Sequence, residues 1–317
     1  MEKLPYHNNW DRITHIKKGW SQDRKYLVKY EDHSYLLRLF DLSEWDNKIK
    51  EFDFITLSRK VIPCSNPLEY GRIPENPDSG YLLLSFIEGR ELSECLGNLS
   101  LQRQYDLGFE AGTLLKKLHS IALTNKISNE AQLSLIRDKK IRQLNNVMEK
   151  NYSLEHLEEM ADYVRENIDL VLNQSIVYQH GDYHPGNMIY TPSNTLSIID
   201  FNRWDIGDPF EEFVKIELFT VESSEAFALG QIEGYFKNQY IPDHFWQLLK
   251  VYSFHSALFS ILWAEQFGED DVNGMIQRYN RIYADYREDE IPCWIKDTKM
   301  KLKEGEDDET NWSNSHY

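Results

Sequence analysis

The stretch His180-Gly-Asp-Tyr-His-Pro-Gly-Asn187, followed by Ile198-Ile-Asp-Phe201, sets two carboxylates and a carboxamide in turn-like sequence beside apolar runs. Asp182 and Asn187 flank Pro185 and Gly186, and Asp200 ends the run Leu196 to Ile199. Phosphoryl transfer from a nucleotide needs such a set: a carboxylate to orient a hydroxyl and accept its proton, and oxygen ligands for magnesium. The expected chemistry is that of a kinase, with Asp182 as base and Asn187 and Asp200 on the metal. A single Asp or Asn in a turn is ordinary local hydrogen bonding. Three at this spacing, each next to an apolar strand, make a multi-part motif.

These groups need elements to hold them. Ile176-Val-Tyr178 reads as a strand entering the loop at His180, where Gly181 allows torsions a side chain would oppose. Asn187 to Tyr190 leaves as a strand, Thr191 to Asn194 turns, and Leu196 to Ile199 returns, so Asn187 and Asp200 are expected close together. Earlier in the chain, Ile13–Lys17 and Tyr26–Tyr30 alternate as strands around Gly19 to Asp23, and Tyr35–Phe40 forms a third that carries Arg38. A helix over Lys48 to Arg59 follows, with Phe54, Leu57 and Val61 at helical spacing. Two further strands, 69–73 and 81–87, precede an abrupt shift to turn chemistry at Glu88-Gly-Arg-Glu-Leu92. The lobe boundary is placed there, giving residues 1–87 and 88–317. From Leu101 onward the pattern is helical, and Gly108, Ala111 and Gly112 permit close helix packing. Beyond Asp208 the chain is helical and aromatic, and the polar tail 303–317 is expected to be mobile.

His180-Gly-Asp-x-x-x-x-Asn187 with Ile199-Asp200-Phe201 resembles the aminoglycoside phosphotransferase and choline kinase superfamily, whose fold is like that of protein kinases. Lys18 to Tyr26, Gln179 to Arg203 and Ser260 to Phe267 look like a Gram-positive bacterial branch of aminoglycoside phosphotransferases. Asp200-Phe201-Asn202 lacks the glycine of the Asp-Phe-Gly pattern. The resemblance implies an α+β, two-lobed protein-kinase-like fold, with a small antiparallel-sheet N-lobe and a larger, mainly helical C-lobe. It also implies that the loop with Gly19 and Ser21 covers the nucleotide phosphates, although glycine-rich relatives have more glycines there. Arg38 would contact the α- and β-phosphates and pair with a helix carboxylate, Glu51, with Glu44 and Asp53 as competing candidates. The backbone of Ser85 and Ile87 would meet the adenine edge. Asp208, in Gly207-Asp-Pro209, would be a structural carboxylate bonding loop backbone.

Composition bounds the partners. The 317 residues are 41% hydrophobic and 27% charged, as in a globular protein with a proper core. A net charge of −17 argues against nucleic acid, which calls for a basic stripe. No apolar run is long enough to span a bilayer, and the N-terminus has no secretory core. Cys64, Cys95 and Cys293 are scattered and odd in number, so free thiols in a reducing, cytoplasmic setting are expected. Acids interleave with the C-terminal aromatics, and Glu212, Glu217 and Glu265 are nominated to hold a cationic acceptor through charge-assisted hydrogen bonds. The expected reaction moves the γ-phosphoryl group of ATP, or of GTP, with Mg2+, onto a hydroxyl of an aminoglycoside-type antibiotic. A kinase for choline, a sugar or an amino alcohol shares the same active-site residues. A nucleotide-binding pseudokinase is disfavoured by the intact Asp182, Asn187 and Asp200. A protein kinase is disfavoured by the short segment between Asp200 and Asp208.

Overall fold

A computed structural model describes residues 10–17, 23–73, 76–124, 127–237 and 239–314. In chain order it contains β1 (Arg12–Ile16), β2 (Arg24–Tyr30), β3 (His33–Asp41), α1 (Trp45–Ser58), β4 (Pro67–Ile73), β5 (Asn76–Ser85) and β6 (Arg90–Glu91). Then come α2 (Leu92–Cys95), α3 (Leu101–His119), α4 (Asn129–Met148), α5 (Leu157–Asn167), β7 (Val177–Gln179), β8 (Met188–Tyr190), β9 (Leu196–Ile198) and β10 (Asp205–Gly207). The chain ends in helices α6 (Val221–Ser223), α7 (Glu225–Phe236), α8 (Asp243–Ala264), α9 (Glu269–Asp285) and α10 (Trp294–Asn314). Two compact units result: Met1–Leu92 with Asn187–Trp204, and Ser93–Gly186 with Asp205–Tyr317. The first cut falls slightly beyond the boundary drawn from sequence, and the hairpin after Asn187 belongs to the first unit.

In the first unit an antiparallel sheet runs in the order β1-β2-β3-β5-β4. Strand alternation sends Leu37 and Leu39 to one face and Arg38 to the other. Leu37 and Leu39 join Val28, Ile73, Tyr81 and Leu83 in a buried cluster, with Trp10, Ile13, Tyr26 and Tyr35 packed against it. Helix α1 buries Lys48, Glu51, Phe54, Ile55 and Ser58, a stripe at helical spacing in which two positions are charged. It stops at Ser58, short of Val61. Phe54 packs edge-on against Phe201, with ring centroids 5.7 Å apart, and so ties α1 to the turn after Asp200. A second small sheet, β6-β8-β9, carries the hairpin from Asn187 to Asp200.

In the second unit, β7 pairs with β10 in a short antiparallel ribbon on which the loop at His180 begins. That pairing was not expected from sequence. Helices α3 and α7 pack backbone to backbone. A Cβ added at Gly112 would lie 2.0 Å from the Gln231 carbonyl oxygen, and one at Gly108 2.1 Å from that of Phe227. The relation is reciprocal, since Gly230 and Gly234 would each meet a carbonyl oxygen of α3 (Tyr105 and Phe109) at 2.2 Å. Alanine is normally favoured over glycine inside a helix by about 1 kcal/mol. At Gly112 the clash with backbone outweighs that gain, and overpacking costs about 1–3 kcal/mol. Gly112→Ala should therefore lower the melting temperature. Gly274→Ala in α9, where the nearest contact is Arg278 Nη1 at 3.7 Å, should raise it slightly. Thermal unfolding of the two variants tests the opposite signs. No helix among the described residues is long and apolar enough to cross a membrane. The polar stretch from 303, expected to be a mobile tail, carries helical backbone as far as Asn314.

Candidate functional site

The first unit gathers four charged side chains beneath α1. Arg38 is 2% exposed. It donates to Glu51 (Nη1 to Oε1, 2.5 Å) and, through Nε (2.9 Å) and Nη2 (2.5 Å), to Asp23 Oδ2. Lys48 Nζ reaches Asp23 at 2.7 Å and Glu51 at 3.5 Å. Two cations and two carboxylates thus balance inside a buried cluster. Burial alone would raise the Asp23 carboxyl, but Arg38 and Lys48 hold it below its ordinary value. The Arg38–Glu51 pair expected from sequence is present, while Gly19 and Ser21 lie outside the described residues. Ser85 is set at the end of β5, but its N–H donates to the Asn66 carbonyl at 2.8 Å and its hydroxyl accepts from Asn66 N at 2.7 Å. Its amide proton is therefore engaged within the sheet. Ile87 follows β5 and is half-buried.

The hairpin sets Asn187 opposite Ile199, the residue before Asp200: the Ile199 N–H donates to the Asn187 carbonyl at 3.0 Å. Asp200 holds left-handed backbone (φ 63°, ψ 63°), a conformation that non-glycine residues adopt at a cost and that clusters at functional sites. Its Oδ2 accepts from Lys25 Nζ at 3.1 Å. Its Oδ1 is buried without a hydrogen-bond partner. A buried, unpartnered carboxylate oxygen beside a carboxamide-bearing residue fits a hard cation. Among the described residues no three His, Cys, Asp or Glu side chains form a metal cluster of their own. Magnesium does not need one, because it is held through one or two carboxylates plus substrate phosphates.

The loop His180–Gly186 is fixed from several sides within the second unit. Glu212 accepts the backbone N–H groups of His180 (2.6 Å) and Gly181 (2.8 Å). Gly181 sits at φ +77°, which permits the tight turn. Tyr183 is fully buried and donates its hydroxyl to the Ala111 carbonyl of α3 at 2.7 Å. With its neighbours pinned, Asp182 is left partly exposed beside Lys215, whose Nζ is 2.8 Å from Oδ1. His184 Nε2 lies 3.7 Å from the same oxygen. Burial would push the Asp182 carboxyl up, yet His184 and Lys215 together hold it well below the usual carboxylate range. Asp208 is buried as expected of a structural carboxylate, accepting from Phe210 N at 2.9 Å and from the Tyr252 hydroxyl at 2.5 Å.

Of the three nominated acceptor-binding acids, Glu212 and Glu217 are buried and Glu265 is exposed. Glu212 is 3% exposed and serves the loop backbone, because the buried His180 N–H and the part-buried Gly181 N–H need an acceptor. Glu217 is fully buried in the π-helical turn Ile216–Thr220, where it accepts from Trp294 Nε1 (3.1 Å) and the Tyr286 hydroxyl (3.2 Å). Burial pushes it up to about 7. Glu265 is exposed and accepts from Lys150 Nζ at 2.8 Å and the Tyr152 hydroxyl at 2.5 Å. Conversely, Lys25 and Lys215 were missed. Nothing in their local sequence separates them from solvated lysines.

Comparison with known proteins agrees with this arrangement. The profile of the phosphotransferase enzyme family (APH) matches residues 12–245. Among curated proteins nothing matches. Among solved structures, ADP-bound aminoglycoside phosphotransferase APH(2'')-Ib is similar at TM-score 0.59 and 18% identity, over 86% of this chain and 95% of that one. The streptomycin–ATP complex of APH(2")-IIa gives 0.61 and 18% over 88% and 97%. The GDP complex of aminoglycoside 2'-phosphotransferase-IIIa gives 0.66 and 14% over 88% and 94%. At such identities the likeness is one of fold: two-lobed and protein-kinase-like, with an antiparallel-sheet N-lobe and a helical C-lobe. With the family profile spanning most of its length, the chain belongs to the phosphotransferase enzyme family.

Proposed function

We propose that this phosphotransferase moves the γ-phosphoryl group of ATP onto a hydroxyl of a small molecule, with aminoglycoside-type antibiotics as the acceptor class. The observation that carries the reaction type is the Asp182 carboxylate, held ionised by Lys215 at 2.8 Å on a loop that leads into Asn187. Asp182 orients the acceptor hydroxyl and takes its proton. Asn187 and Asp200 would hold Mg2+ with the nucleotide, and the ion would supply neutralising charge to the phosphate oxygens. Positioning and electrostatics lower the barrier, with no covalent enzyme intermediate.

The acceptor class is supported by fold relatives whose structures contain streptomycin or are named for aminoglycosides. A second reading, a hydroxylated metabolite, draws on a different observation: Glu212, Glu217 and Glu265 all serve other groups, and a lysine stands beside the base. A coupled ADP-release assay over aminoglycosides, macrolides, sugars and amino alcohols separates them, with GTP run against ATP. Turnover with an aminoglycoside in the presence of Mg2+ is the expected result. Turnover confined to amino alcohols or sugars would replace the acceptor while keeping the reaction.

A further inference from the structure

Lys215 directly precedes the π-helical turn Ile216–Thr220, a kind of turn that recurs at functional sites. The turn returns Phe219 to the lysine, whose Nζ lies 5.4 Å from the ring centroid. Thr220 Oγ1 donates to the Lys215 carbonyl at 3.3 Å, and the buried Glu217 anchors the turn to Tyr286 and Trp294. The His184 ring packs on the same Phe219, with centroids 5.4 Å apart. Arg278 also faces this ring, at 5.3 Å, but donates to the Leu218 carbonyl (3.0 Å) and to Glu222 (2.8 Å). Lys215 instead carries its ammonium to Asp182 Oδ1 at 2.8 Å, on a side chain only 15% exposed. For a general base, a cation on its own oxygen is a cost. It helps hold the Asp182 carboxyl below the usual carboxylate range, and a weaker base is a poorer proton acceptor. Phosphoryl transfer gives the placement a use. Its transition state is loose, with charge spread over the three equatorial oxygens of the moving group, so positioned charge counts for more than the strength of the base.

We propose that Lys215 is a further catalytic residue, whose ammonium binds the oxygens of the transferring γ-phosphoryl group beside Asp182. The assignment rests on the phosphotransfer reading above. In the step, a bond forms between the acceptor oxygen and the γ-phosphorus. The bond from that phosphorus to the β–γ bridging oxygen breaks and leaves its electron pair on ADP. The hydroxyl proton passes to Asp182 and from there to water. Lys215 keeps its protons throughout and supplies charge alone. An acceptor oxygen within hydrogen-bond reach of Asp182 sets the phosphorus about 3 Å further on, a span the flexible four-carbon stem of a lysine covers.

The test compares Lys215→Met and Lys215→Arg with the wild type, in the full chain at about pH 8, where a carboxylate is ionised with or without the lysine. ADP release is followed with the acceptor that turns over, or with water as acceptor. Lys215→Met should lower kcat about 100- to 1,000-fold, the cost of removing one donor aimed at developing charge. ADP affinity and melting temperature should stay near wild type. Affinity for ADP with Mg2+ and aluminium fluoride, which mimics the moving phosphoryl group, should fall by a similar factor. Lys215→Arg should recover much of both losses. A lysine that only holds Asp182 ionised predicts the opposite sign: at this pH the methionine variant would match or exceed the wild type, because its base is stronger. That result overturns the assignment. So does a loss of ADP affinity as large as that for the fluoride complex, which marks a distorted site. Wild-type protein that releases ADP with no acceptor, water included, would instead remove the phosphotransfer reading, and this assignment with it.

Discussion

Asparagine at position 182 is expected to lower kcat by about two to four orders of magnitude, the usual contribution of a positioned proton acceptor. Nucleotide affinity and melting temperature should stay near wild type. Asparagine matches aspartate in size, and the side chain at 182 is 20% exposed, so the change removes charge and basicity without opening a cavity. Lys215 loses its partner but keeps some access to water, at 15% exposure. The pH dependence follows from the same contacts. His184 and Lys215 outweigh burial and hold the Asp182 carboxyl well below the usual carboxylate range. The kcat/KM profile should then show no acid limb from this group above about pH 5. In Lys215→Met one source of that depression is gone while burial remains, so the limb should move up into the measurable range. Steady-state kinetics across pH, on both variants, checks the two claims together. Near-normal turnover by the asparagine variant would end the role of Asp182 as base.

The sequence was most readable where partners are close in the chain or fixed by strand register. Asp182, Asn187 and Asp200 stand out because each interrupts an apolar pattern with a group that a loop must hold. The family resemblance implied that Arg38 pairs with Glu51, ahead of Glu44 and Asp53, and the two meet at 2.5 Å. Gly108 and Gly112 announced close packing, although their counterparts Gly230 and Gly234 were not matched to them. What was not legible depends on long-range placement. Lys25 reaches Asp200 across a separation of 175 residues, and nothing local distinguishes it from Lys29 on the same strand. Glu212 looked like any acid in a run of acids. Its burial is decided by the backbone N–H groups of His180 and Gly181, which only the folded loop turns toward it. The pairing of β7 with β10 escaped for a similar reason, since three-residue strands carry almost no periodic signal.

Asp200→Asn should abolish the dependence of nucleotide affinity on Mg2+. The choice of asparagine matters. Position 200 has φ +63°, which asparagine tolerates nearly as well as aspartate, whereas alanine would add a backbone cost of about 1–2 kcal/mol. The asparagine variant therefore isolates the charge. In the wild type, Mg2+ should tighten ADP binding by about 3 kcal/mol, roughly a hundredfold, as expected of an ion that neutralises phosphate oxygens. By linkage, ADP should tighten Mg2+ binding by the same factor. Without the carboxylate at 200, both couplings should collapse toward unity. ADP affinity in the absence of Mg2+ should hold or improve, because one negative charge near the phosphates is gone and Lys25 is released from its 3.1 Å contact with Asp200. That opposite sign separates a lost metal ligand from simple misfolding, which would weaken binding under both conditions. Calorimetric titrations with and without Mg2+ measure it directly, and a variant whose ADP affinity still rises a hundredfold with Mg2+ would take Asp200 out of the metal site.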